Sequence, residues 1–169
     1  MGFSFVWIAV SGVDADEFLD RAGFEDTGEP DPWFETDYSG ANLPGGWYVL
    51  VTSDFGLIEN MGLLAEWSAG ARLVVAVADE GSMNSLAMEW IDRRQIWSVF
   101  HDGSEGEPTL AVDGDLPEAF ESIRARLMAQ AEPGVDHVFD IPLDLAAGIT
   151  GFRHDQVDED AGFTVLEPV

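Results

Sequence analysis

The stretch LAMEWIDRRQIWSVFH at residues 86–101 decides how the rest of the chain is read. Apolar and polar residues alternate on both sides of a short charged break. Two such runs this close together predict an antiparallel β-hairpin. With Arg93 and Arg94 as the loop, Trp90 falls opposite Trp97 and Met88 opposite Val99, cross-strand pairs of the kind that stabilise a sheet face.

Further strands lie on either side. Residues 72–78 form a nearly continuous apolar run upstream, and residues 109–113 a short strand downstream. After the latter, Leu116, Phe120, Ile123 and Leu127 repeat at helical spacing, Asp115 and Glu118 stand in capping positions, and Pro133 with Gly134 closes the helix. Toward the N-terminus, residues 3–11 read as a buried strand. Asp14 reads as an N-cap with Glu17 completing a capping box, and Val13 and Phe18 are spaced for a hydrophobic staple. Residues 47–52 are a strand, and residues 57–69 a helix whose Met61, Leu64 and Ser68, with Leu63 and Trp67, keep helical spacing. Residues 142–151 form a final short helix. Runs at 24–29, 137–141 and 163–166 carry weaker strand patterns, the last as an edge strand. Residues 30–46, rich in Pro, Gly and Asp, read as a loop holding Trp33, Phe34 and Tyr38. Its length for a connection points to function. The expectation is one α+β domain over residues 1–152, a mostly antiparallel sheet of about five to seven strands packed against about three to four helices. An acidic C-terminal tail with a docking strand follows at 153–169.

Composition narrows the function. The 169 residues are 46% hydrophobic, with 11 Phe and 6 Trp, which suffices for one core despite the charge. The 7 basic residues are all arginine and face 33 acids, a net charge of −26. Without lysine there is no P-loop lysine, Schiff-base lysine or lysine general base. Such a charge repels nucleic-acid phosphates and anionic lipid, and favours either solubility or a basic protein partner. The absence of cysteine fits a reducing compartment, and no basic region precedes the first apolar run, so the expected location is the cytoplasm.

Catalytic signals are thin. His101 adjoins Asp102, but neighbours on a strand face opposite sides, so the two do not form a dyad there. Arg153 and His154 follow a helix end, where cations meet the helix dipole. An enzyme reading, a small hydrolase or ligand-binding enzyme, gathers His101, Arg153 and His154 around a carboxylate-lined pocket. The three histidines lack metal-ligand spacing, and the acidic loops at 102–107 and 158–160 lack the EF-hand pattern, so no metal and no cofactor is expected. Between Asp14 and Asp37 ten acids face one base, Arg21. Glu29, Asp31, Trp33, Phe34, Glu35, Asp37 and Tyr38 are therefore the candidate contacts for a basic partner, with residues 105–121 as a second acidic flank. The competing reading has Trp33 and Phe34 simply covering the core. A third reading is a homo-oligomeric structural protein, such as a homodimer, that pairs through the hairpin or the C-terminal strand.

The segments EWIDRRQIWSVFHDG and FDIPLDLAAGITGFRHD resemble stretches of small, acidic bacterial proteins of unassigned function. In size, acidity and α+β architecture the chain is also similar to immunity proteins that neutralise bacterial toxins. That likeness implies a non-catalytic inhibitor whose acidic surface caps a basic site.

Overall fold

Val6, Trp7, Ile8, Ala9 and Val10 are all completely shielded from solvent. Successive residues of a strand face opposite sides, so this strand requires a covering layer on each side of its sheet. The computed structural model describes residues 3–104, 109–130 and 132–169. In chain order its strands are β1 (Ser4–Ser11), β2 (Phe24–Pro30), β3 (Tyr38–Asn42), β4 (Tyr48–Thr52), β5 (Arg72–Asp79), β6 (Asn84–Ile91), β7 (Arg94–Asp102), β8 (Thr109–Gly114) and β9 (Thr164–Pro168). The helices are α1 (Ala15–Ala22), α2 (Gly56–Glu59), α3 (Met61–Trp67), α4 (Phe120–Met128) and α5 (Asp140–Thr150). The strands make one antiparallel sheet of order β2-β9-β3-β4-β1-β5-β6-β7-β8, with β1 at its centre. No helix among the described residues is long and apolar enough to cross a membrane.

One face buries Val6, Ile8, Val10, Leu50, Leu73 and Val75 under Phe18 and Leu19 of α1 and Leu64 and Trp67 of α3. The Asp14 half of the expected α1 capping box forms, its carboxylate accepting from the Glu17 N–H, while the Glu17 carboxylate accepts from Arg21 instead; Gly23 ends the helix in the left-handed conformation. Arg21 then reaches across to the Trp67 and Ala69 carbonyls at the end of α3, joining the two helices. The other face carries Trp7 beside a set of alanines, Ala9, Ala76, Ala78 and Ala87. These small residues let α5 settle on β5 and β6, with Ile141, Leu143 and Leu145 fully enclosed. Leu127 and Phe120 of α4 extend this second layer.

The α+β class stands, but the sheet has nine strands rather than about five to seven, and five helices are present among the described residues rather than three or four. One missed strand is β3, whose sequence YSGAN has no β-branched residue. It forms because β4 and β9 supply ladders on both sides of it. β9 is no edge strand: it lies between β2 and β3, and Phe163 and Leu166 are buried, so Thr164–Pro168 are an interior part of the sheet. Residues 137–141 are not extended. Asp136 caps a 3-10 turn there, which runs directly into α5. Asn60 splits the expected helix at 57–69, ending α2 and capping α3 through its own side chain. α4 starts only at Phe120 and has no side-chain cap, so the Asp115–Glu118 box is not formed.

The hairpin register also differs. The turn is Asp92-Arg93, both in the left-handed region at φ 43° and 73°, as in the two-residue turns that suit strand twist. Asp92 accepts from the Gly70 N–H, and the Arg93 N–H donates to the Ser68 hydroxyl. A bulge next to Trp90 then places Glu89 opposite Trp97 and Met88 opposite Ser98. Trp90 and Trp97 end on opposite faces, and the Trp97 indole donates to Glu89, which Arg72 also binds at 2.7 Å.

Gly40 pairs with Leu50 on β4, and a methyl group in place of its hydrogen would run into the Tyr48 ring and Leu166. Gly40→Ala is expected to lower unfolding stability by about 1–3 kcal/mol through overpacking. Tyr48→Phe, which removes a buried hydroxyl without a partner among the described residues, is expected to equal or exceed the wild type by about 1 kcal/mol. Urea unfolding midpoints of the two variants check both signs.

Candidate functional site

The loop between β2 and β3 is built around one carboxylate. Asp31 is 3% exposed and accepts from the Glu35 and Thr36 N–H groups and from the Thr36 and Ser39 hydroxyls. Burial works against its charge, but the hydroxyl and backbone donors outweigh burial and hold its carboxyl below the ordinary carboxylate range. The Asp31 N–H donates in turn to the Phe163 carbonyl, which fastens the loop to the C-terminal segment.

Three residues on, Phe34 adopts φ 55°, a conformation that costs a bulky residue about 1–2 kcal/mol. Its ring is held edge-on against Phe163 at 4.9 Å and Phe5 at 5.7 Å. The reversal sends Phe34 inward and leaves Trp33 65% exposed. Glu29, Glu35 and Asp37 are exposed around it. Tyr38 is half-buried against Phe24 and donates to Asp54. Of the seven candidate contacts, Asp31 and Phe34 thus build the loop, while Trp33, Glu29, Glu35 and Asp37 face solvent.

The structure does not bring His101, Arg153 and His154 into one network. His101, with no exposed side chain, lies on β7 with Nδ1 2.9 Å from the Thr109 carbonyl and Nε2 2.6 Å from Asp136. It ties β7 and β8 to the turn before α5. Asp102 instead accepts from Ser104, consistent with the two neighbours facing opposite sides. Arg153 is held by Asp140, Asp144 and Asp155 at 2.5, 2.5 and 2.7 Å. Burial disfavours its charge, but Asp140 and Asp155 more than compensate, and its pKa is raised. His154 lies over β1, three strand steps or about 14 Å from β7. Its ring rests on Trp7 at 5.2 Å, with Phe3 and Phe5 beside it. Among the described residues neither ring nitrogen has a hydrogen-bond partner, and Glu80 at 3.7 Å is too far to provide one.

A cleft of about 530 Å³ lies close by in the chain, lined by Asn42, Phe152, Gln156, Asp158, Asp160 and Phe163 among others, but by neither Arg153 nor His154. Among the described residues no group of three or more His, Asp or Glu side chains is placed to hold a metal ion. Residues 105–108, part of the acidic loop at 102–107 and of the flank at 105–121, lie outside the described residues. Asp136 and Glu80 were invisible as site residues in the sequence. Asp136 is 35 positions from His101, and no local spacing joins them. Comparisons of the chain with protein-family models, with curated proteins and with solved structures find no match in any of the three.

Burial pushes the His154 pKa below its ordinary 6.5. Asp155 opposes that, the Arg153 charge adds to it, and Glu80 opposes it further without reversing it. The folded ring therefore stays neutral at a pH where the unfolded chain already binds a proton. Stability from this residue is complete above pH 6.5 and is lost as pH falls below it. His154→Phe should remove that loss: the variant gains on the wild type as pH drops from about 7 to about 5. Paired urea titrations across that range, with parallel curves counting against the assignment, check it. Arg153→Ala leaves three carboxylates facing one another, each about a quarter to a third exposed. It should cost on the order of 2 kcal/mol.

Proposed function

We propose that the protein is a non-catalytic binding module that docks a basic protein partner, as an immunity protein caps a toxin, and that it acts in the bacterial cytoplasm. The observation that carries this reading is Trp33, 65% exposed at the tip of a loop that the buried Asp31 carboxylate makes rigid. Large aromatics are the usual anchors of protein interfaces, and a loop already ordered loses little entropy on binding. Backbone strain at Phe34 beside that anchor fits a site kept for recognition. Glu29, Glu35 and Asp37, backed by a net charge of −26, supply long-range attraction that speeds encounter with a basic surface. Catalysis draws no comparable support: His101 and His154 are enclosed, and Arg153 is occupied by three carboxylates.

Affinity capture from the host cell with wild type and Trp33→Ala in parallel tests the reading. A basic protein should be retained at low salt and released at high salt. Truncating Trp33 should weaken its binding by about 2 kcal/mol or more, a roughly thirtyfold rise in Kd, with an unchanged urea midpoint. Recovery of no basic protein, or equal binding by the variant, overturns it.

A further inference from the structure

The two edges of the sheet are constructed differently. On β2, Glu25, Asp26 and Glu29 are exposed, Gly28 sits at φ 74°, and the pairing with β9 slips between Asp26 and Pro30. Edge charges, an irregular register and a proline are the devices that stop another strand from adding. β8 has none of them along Thr109, Leu110, Ala111 and Val112, and its pairing with β7 runs unbroken from Asp102–Thr109 to Trp97–Gly114. Every residue of β8 except Leu110 is exposed. Alternate backbone N–H and C=O groups on such a strand point away from its neighbour, with no ladder to join among the described residues.

Apolar surface flanks this open edge on both faces. Val112 is 48% exposed on one. On the other, Ala111 is too small to cover its cross-strand partner Phe100, which remains 38% exposed. Phe100 continues into a hollow of about 160 Å³ that Leu86, Ile58 and Phe55 also line. The ends of the strand are acidic: Asp113, Asp115 and Glu118 are exposed beyond Val112, and Asp102 stands opposite Thr109. Arg124 is paired with Glu121, leaving the exposed Arg93 and Arg94 at the β6–β7 turn as the opposing charges at this end. A second copy would bring the same acids and another −26 of net charge against them.

We propose that β8 is a docking edge that accepts an extended segment of a basic partner as an added strand. The segment's backbone completes the ladder. Its apolar side chains cover Phe100 and Val112, and its Arg or Lys residues meet Asp113, Asp115 and Glu118. The site is separate from the Trp33 loop, which joins β2 and β3 near the opposite edge, and either can fail without the other.

The probe is a short peptide of alternating valine and threonine with arginines at both ends, titrated into the isotope-labelled full chain and followed by amide NMR. Shifts should concentrate on Thr109 to Gly114, and a copy with glutamates for the arginines should leave them unmoved. Ala111→Lys, on an exposed position, should keep the spectrum of the fold and bind the peptide about tenfold more weakly. That is the scale of about 1.4 kcal/mol for one misplaced like charge. Replacing Asp113 and Asp115 by Asn should reduce the salt dependence while β8 shifts persist. Trp33→Ala should bind the peptide as the wild type does, which separates this edge from the loop. Shifts centred elsewhere, equal binding of the glutamate peptide, or a dimer by light scattering that Ala111→Lys dissolves would each overturn the proposal.

Discussion

Burial of β1 on both faces is the constraint from which the architecture follows. Trp7 and Ala9 face one side, Val6, Ile8 and Val10 the other, and none of them tolerates water. Two helical layers are therefore obligatory, and the chain between them has to be apolar wherever it lies near the sheet centre. Acids are displaced to turns, helix surfaces and the outer strands. A net charge of −26 is compatible with a folded core because most of the charges sit on the perimeter, in water of high dielectric, while the buried carboxylates of Asp31 and Glu89 are each held by hydrogen-bond donors.

Elements that carry their own pattern were legible in the sequence. β1, β5, the hairpin strands and α1 announce themselves through hydrophobic period and caps, and Asp14 caps α1 as expected. Elements made by their neighbours were not. YSGAN at β3 pairs because β4 and β9 offer ladders, and the 3-10 turn before α5 exists because Asp136 caps it. The hairpin was readable in kind but not in register, since the turn uses Asp92 and Arg93 in left-handed conformations without the glycine that advertises such turns.

The same division runs through the candidate residues. Sequence singled out the acidic aromatic loop, but not that Asp31 is its internal scaffold or that Phe34 and Trp33 point opposite ways. Those facts depend on Ser39, Phe163 and Phe5, which lie on other strands or beyond β2 and β3 altogether. His101 attracted notice through Asp102, its chain neighbour, yet its carboxylate partner is Asp136. Short-range juxtaposition misled because a strand separates adjacent side chains, whereas the fold reunites distant ones.

The interior position of β9 has a consequence for how the molecule is made. β2 touches the sheet only through β9, so the segment at 24–30 has no ladder to join until residues 164–168 have left the ribosome. During synthesis its acidic side chains stand in for that missing partner: Glu25, Asp26 and Glu29 keep an early, unattached strand from pairing with other nascent chains. Charge on the surface of the finished protein therefore also disfavours wrong pairing of this strand while its partner is absent.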